Sequence, residues 1–201
     1  MMRTVSRIVG VLVLVAAWTA HAQTTPPDVL VKNTVNEVLS VIQQNKHRRV
    51  LRELAEKKVL PHFDFREMTR LAVGRAWRDA SAAQQRALEN HFRSLLVATY
   101  TTALSQTTGT SQTVEVRPLH LKPGDGDVTV KTLVREPGRQ PVAIDYRMKA
   151  TPAGWKVYDV IVENLSLVTN YRGSFTAEIG RSGIDGLIKT LNEKNQRLAG
   201  S

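Results

Sequence analysis

Apolar residues in the first half of the chain recur at three- and four-residue spacing, and those in the second half at alternate positions. Val31, Val35, Val38, Leu39 and Ile42 predict a helix after the polar stretch Gln23 to Pro27, with Asp28 as its cap. Val50, Leu51 and Leu54 predict a second from about His47 to Leu60, ended by Pro61; its outer side carries Lys46, Arg48, Arg49, Arg52, Lys57 and Lys58. Asp64 restarts the helical pattern through Met68, Leu71 and Ala72 as far as Gly74. Ser81 and Gln84 form a capping box for a long helix whose Leu88, Phe92, Leu95, Leu96, Val97, Tyr100 and Leu104 make a wide apolar stripe.

From Thr107 the composition turns β-branched, and Pro118, Pro123-Gly124, Pro137-Gly138 and Pro152 to Gly154 separate four expected strands: Val114 to Leu119, Val128 to Arg135, Val142 to Lys149 and Trp155 to Val162. In the second and third, Val128, Val130, Val134, Val142, Ile144, Tyr146 and Met148 alternate with Lys131, Arg135, Asp145, Arg147 and Lys149, so one face is wet. The fourth strand is apolar on both sides. By strict alternation Trp155, Val157 and Ile161 share one face and Tyr158, Val160 and Val162 the other, and both faces need cover. The chain then turns at Asn164, which tolerates left-handed φ, and Ser166 caps a helix bearing Leu167, Val168, Tyr171, Phe175 and Ile179. Gly180 to Gly183 is a break before a last helix with Ile184, Leu187, Ile188 and Leu191.

Short Pro-Gly links favour an antiparallel meander, and no strand-helix-strand repeat is present. The expected fold is a single α+β domain, a curved four-stranded antiparallel sheet wrapped by helices. Such a sheet encloses a cone. Whether that cone is solid or hollow decides what the protein can do, and periodicity alone does not separate a packed core from a lined cavity.

Charge and the N-terminus narrow the setting. Arg3 and Arg7, the apolar run Ile8 to Ala17 and Ala20-His21-Ala22 before Gln23 read as an export signal over residues 1–22, the run being too short to span a membrane. Its removal leaves 179 residues and lowers the formal charge from +10 to +8. The chain has no cysteine, so lipidation at a lipobox, disulfides and thiolate metal sites are excluded. A basic balance suits lipid surfaces or nucleic acid. Export disfavours nucleic acid, and the basic cluster Lys46 to Lys58 is interrupted by Glu53 and Glu56, with aromatic residues for base stacking at only 5% of the chain.

Candidate chemistry is sparse. Asp159, in Val-Tyr-Asp-Val-Ile, is the one carboxylate that could act as a base in an apolar cone, but Arg147 and Lys156 nearby favour a paired surface or sheet-edge charge. There is no Gly-x-Ser-x-Gly elbow and no His-Glu-x-x-His, and His47, His62, His91 and His120 lack carboxylate companions at ligand spacing. No metal, cofactor or enzymatic reaction is expected.

Three blocks carry a resemblance: PHFDFREMTRLAVGRAWRDAS with QQRALENHFRSLLVATYTTAL, then GWKVYDVIVENLSLVTNYRGSF, then GIDGLI. In this order they resemble the MlaC family, the soluble periplasmic phospholipid carriers also known as toluene-tolerance proteins, with Asn164 where the family commonly has Gly. The resemblance implies residues 23–201 as one phospholipid-binding domain with a twisted four-stranded sheet of the nuclear-transport-factor and cystatin-like kind. It also implies a monomer that shuttles phospholipid between the two membranes and maintains outer-membrane lipid asymmetry. Its partners would be an inner-membrane ATP-binding-cassette (ABC) transporter and an outer-membrane MlaA-type lipoprotein with a porin. Apolar positions proposed to line the lipid cavity are Phe63, Met68, Leu96 and Tyr100 from the helical half. Val130, Val142, Val160, Val162, Val168, Tyr171, Phe175 and Leu187 are proposed from the remainder.

Overall fold

The structure is a computed structural model that describes residues 25–45, 47–105 and 112–199. The expected leader 1–22, Gln23, Lys46, Thr107 and the side chain of Leu104 lie outside the described residues. Among the described residues, helices α1 (Pro27–Gln44), α2 (Arg48–Leu54), α3 (Phe65–Val73) and α4 (Ala82–Ser105) precede strands β1 (Thr113–Val116), β2 (Asp127–Arg135), β3 (Val142–Thr151), β4 (Gly154–Val162) and β5 (Leu165–Ser166). Helix α5 (Leu167–Ala199) closes the chain and is kinked at Gly183, whose φ of 72° is left-handed.

The caps explain most boundaries. Asp64 accepts from the Glu67 N–H at 2.9 Å and starts α3. Ser81 and Gln84 exchange both capping-box bonds, 2.9 and 3.2 Å, ahead of α4. Asp28 differs from expectation: α1 starts at Pro27, and the Asp28 carboxylate instead accepts from the Leu119 N–H at 3.2 Å, fastening the first turn to the segment after β1. The second predicted helix is also not uniform. It is α-helical only to Leu54, then a π-helix over Ala55–Val59 and a 3-10 turn over Leu60–His62 that contains Pro61.

All five strands pair in sequence order, each antiparallel to the next. The fifth, which the sequence pattern did not show, is two residues long and pairs Leu165 with Val162 and Ser166 with Ile161. Glu163 and Asn164, with φ of 48° and 66°, form the two-residue turn between β4 and β5, the hairpin geometry that needs two left-handed residues.

Helix α1 packs on β1 and β2, while α3 and α5 pack on β4 and α4 lies against α2, α3 and α5. Two buried clusters result. One joins α3, α4 and α5 through Met68, Leu88, Phe92, Leu95, Phe175, Leu187 and Leu191, with Tyr158 from the sheet. The other joins α1 to the sheet through Val31, Val130, Met148, Trp155 and Val157. Phe63 packs against both.

Candidate functional site

Between the two clusters the molecule is hollow. A cavity of about 1000 Å³ is bounded by α1 (Leu30, Val31, Val35, Val38, Leu39), by the π-helix and the turn after it (Ala55, Val59, Leu60), and by α4 (Leu96, Val97, Tyr100). Its floor is one face of the sheet: Ile144, Tyr146 and Met148 of β3 against Val157, Val160 and Val162 of β4. This volume is at the upper end of ordinary ligand pockets, roughly 300 to 1,000 Å³.

The floor exists because β4 is bulged. Met148 pairs with Val157 but Arg147 pairs with Asp159, leaving Tyr158 as an extra residue. The extra residue reverses the alternation, so Val157 and Val160, three apart, line the same cavity. Strict alternation had placed them on opposite faces. Tyr158 turns into the helical cluster instead, and its hydroxyl donates to Asp127 at 2.7 Å.

Polar groups gather at one end. Glu163, Asn164, Ser166, Thr169 and Asn170, from the β4–β5 turn and the start of α5, line the cavity beside Leu165, which is 74% exposed and marks the mouth. Neither lysine nor arginine is among the described residues that line the cavity. His62 also lines it, and burial first, then the Lys156 ammonium, hold its imidazole below the ordinary 6.5, so it is neutral at pH 7. Among the described residues no group of three or more His, Cys, Asp or Glu side chains could hold a metal ion, and no helix is long and apolar enough to cross a membrane.

Residues 32–193 match the family model described as MlaC protein. The chain belongs to the MlaC family. A solved structure of a phospholipid-binding protein from Ralstonia solanacearum in complex with a phospholipid is 35% identical, covers 87% of this chain and 99% of its own, and superposes with a TM-score of 0.78. The intermembrane phospholipid transport system binding protein MlaC of Haemophilus influenzae is 22% identical over 183 residues, 87% of this chain and 84% of that protein.

Of the positions singled out in the sequence of this MlaC-family chain, Phe63, Met68, Leu96, Tyr100, Val160 and Val162 line the cavity. The other six lie elsewhere, for identifiable reasons. Val130 is fully buried in the α1–sheet cluster. Val142, the first residue of β3, is 37% exposed and pairs with Val134 away from the cavity. Tyr171 and Phe175 turn to Phe92, edge-on at centroid separations of 4.9 and 5.1 Å. Val168 and Leu187 are buried in the same helical cluster. The kink at Gly183 folds the second half of α5 back along α4, where Gln84 donates to Asp185 at 2.8 Å and Asn195 to the His91 carbonyl at 2.9 Å. Helix α5 thus contributes only its first turn, Leu167 to Asn170, to the cavity wall.

Asp159 is also not the surface charge its sequence neighbours suggested. It is 3% exposed, and its two carboxylate oxygens accept from the Ser166 hydroxyl at 2.6 Å and the Val168 N–H at 3.1 Å. Ser166 in turn accepts from the Thr169 N–H at 3.0 Å. The carboxylate therefore sits on the positive end of α5 and fixes the helix at the cavity mouth. Arg147 lies over the Tyr158 ring, 4.9 Å from its centre. On α2 and the π-helix the basic face is exposed and partly paired, Arg49 with Glu53 and Arg52 with Glu56 on the same segment and Lys58 with Glu37 of α1.

Proposed function

We propose that this protein is a periplasmic carrier that holds one phospholipid by its acyl chains in the cavity and shuttles it between the inner and outer membranes, maintaining outer-membrane lipid asymmetry. The observation that carries the reading is the hollow seam itself, walled mainly by apolar side chains from three directions, with most of its polar groups gathered at the mouth. A diacyl lipid exposes roughly 30 methylenes, each costing about 0.8 kcal/mol in water, so free passage is opposed by about 25 kcal/mol. Moving the chains from a bilayer into this cavity exchanges one hydrocarbon surrounding for another, so uptake and release need no covalent step. The phospholipid-bound relative from Ralstonia solanacearum supports the same reading. With no cation along the wall to grip a phosphate, headgroup selectivity is weak.

Residues 1–22 serve as a cleaved export signal, and the mature chain from Gln23 works as a soluble monomer. Its partners are an inner-membrane ABC transporter complex and an outer-membrane MlaA-type lipoprotein with a porin, in keeping with the transport-system name of the Haemophilus influenzae relative. Nucleic acid is not a partner, and no cofactor is needed beyond the lipid cargo.

The test is lipid transfer between donor and acceptor vesicles, run on the parent and on Asp159→Asn. The parent is expected to transfer phospholipids of different headgroup at similar rates. Asp159→Asn weakens the cap of α5 and is expected to lose about 1 to 2 kcal/mol of stability, yet to transfer lipid within about twofold of the parent per folded molecule. Loss of transfer in a variant that still holds lipid would instead give Asp159 a part in the function beyond capping α5.

A further inference from the structure

Within the apolar floor one residue, only partly buried, offers the open cavity a hydroxyl that has no protein partner. Tyr146 lines the cavity in the middle of β3, paired with Val130 on one side and Val160 on the other. Among the described residues its hydroxyl makes no hydrogen bond, and burial alone pushes the phenol up to about 12, so it stays protonated as a donor. Thr34 and Thr101 also line the cavity, but they sit on helices, where a hydroxyl can turn onto the carbonyl four residues back. Tyr146 has no such outlet, because its hydroxyl stands at the far end of a rigid ring, out of reach of its own backbone.

Its depth suggests the acceptor. The Ile144–Val162 pair lies next to the β4–β5 turn at the mouth, and Tyr146–Val160 is the next inward-facing pair, about 7 Å deeper along the strand. Met148 and Val157 form the pair beyond. For a phospholipid whose phosphate stays at the polar mouth, the groups that follow inward are the glycerol and its two ester carbonyls, and below them only hydrocarbon. Ester carbonyls accept and do not donate, which matches a lone phenol.

We propose that the Tyr146 hydroxyl donates a hydrogen bond to an ester carbonyl of the bound lipid, setting its depth in the cavity and favouring ester-linked over ether-linked glycerophospholipids. This rests on the carrier reading above. The test measures binding of dioleoyl phosphatidylcholine and of its dialkyl ether counterpart, equal in headgroup and chain length, to the delipidated parent and to Tyr146→Phe. The parent should bind the diester about three- to tenfold more tightly, the range for one neutral hydrogen bond. Tyr146→Phe, which removes one oxygen and keeps the ring, should lose that preference by weakening diester binding while ether binding stays unchanged. Equal binding of both lipids by the parent, or a preference that survives in Tyr146→Phe, would overturn the proposal and leave the carrier reading standing. Failure of the parent to bind either lipid would overturn both.

Discussion

Tryptophan in place of Val160 is expected to leave the lipid-free protein folded at nearly the parental midpoint and to weaken phospholipid binding by roughly 15- to 60-fold. Val160 lies on the cavity floor, only partly buried, so an added indole enters open space rather than packed side chains. There it occupies room that acyl chain would fill. Displacing two or three methylenes, at about 0.8 kcal/mol each, gives that loss of affinity. Val130 provides the contrast. It is two strands away, fully buried, and off the cavity, so Val130→Trp overpacks a close-packed cluster and is expected to cost about 1 to 3 kcal/mol or more. Thermal unfolding of both variants after delipidation, followed by lipid titration, separates the two behaviours. Equal destabilisation of both would mean that the space over Val160 is filled by the protein's own side chains.

Phe92→Ala is expected to be the most destabilising single change, at about 3 to 5 kcal/mol. Phe92 is 0% exposed at the centre of the helical cluster and holds Tyr171 and Phe175 edge-on. Removing it opens a void where α4 meets α5 and undoes two aromatic contacts, each worth about 0.5 to 1.5 kcal/mol beyond the area buried. The same truncation at Phe63, half-buried and facing the cavity, leaves space continuous with what is already hollow and is expected to cost much less. Denaturant unfolding of the two variants reads this difference. A Phe63→Ala loss equal to that of Phe92→Ala would place Phe63 in the rigid core.

The elements were legible because they rest on local chemistry. Ser81 with Gln84, Asp64 with the Glu67 amide, and Ser166 at the head of α5 act within four residues, and period-two runs between proline and glycine turns announce the strands. What a buried face packs against is not local. Tyr171, Phe175 and Leu187 show the spacing of an inward helix face, but only the tertiary fold decides that this face meets Phe92 rather than the cavity. The bulge at Tyr158 was equally hidden, since one unpaired residue leaves no mark on composition and reverses the face of everything beyond it. The α1 wall does carry a signal in the sequence. Leu30, Val31, Thr34, Val35, Val38 and Leu39 form a stripe wider than a short helix contact requires, and several of them are only partly buried, as residues facing an open volume are.

The central claim is that the seam between the two clusters is occupied by lipid. Mass spectrometry of an organic extract, taken from protein produced from the full 201-residue sequence and purified without detergent, tests it most directly. Phospholipid is expected at close to one molecule per chain, with several headgroups represented and a thermal midpoint that falls when the lipid is stripped, since a ligand held only by the folded state stabilises it by mass action. A folded protein whose extract contains no phospholipid, and whose midpoint does not move when phospholipid is added back, would contradict it.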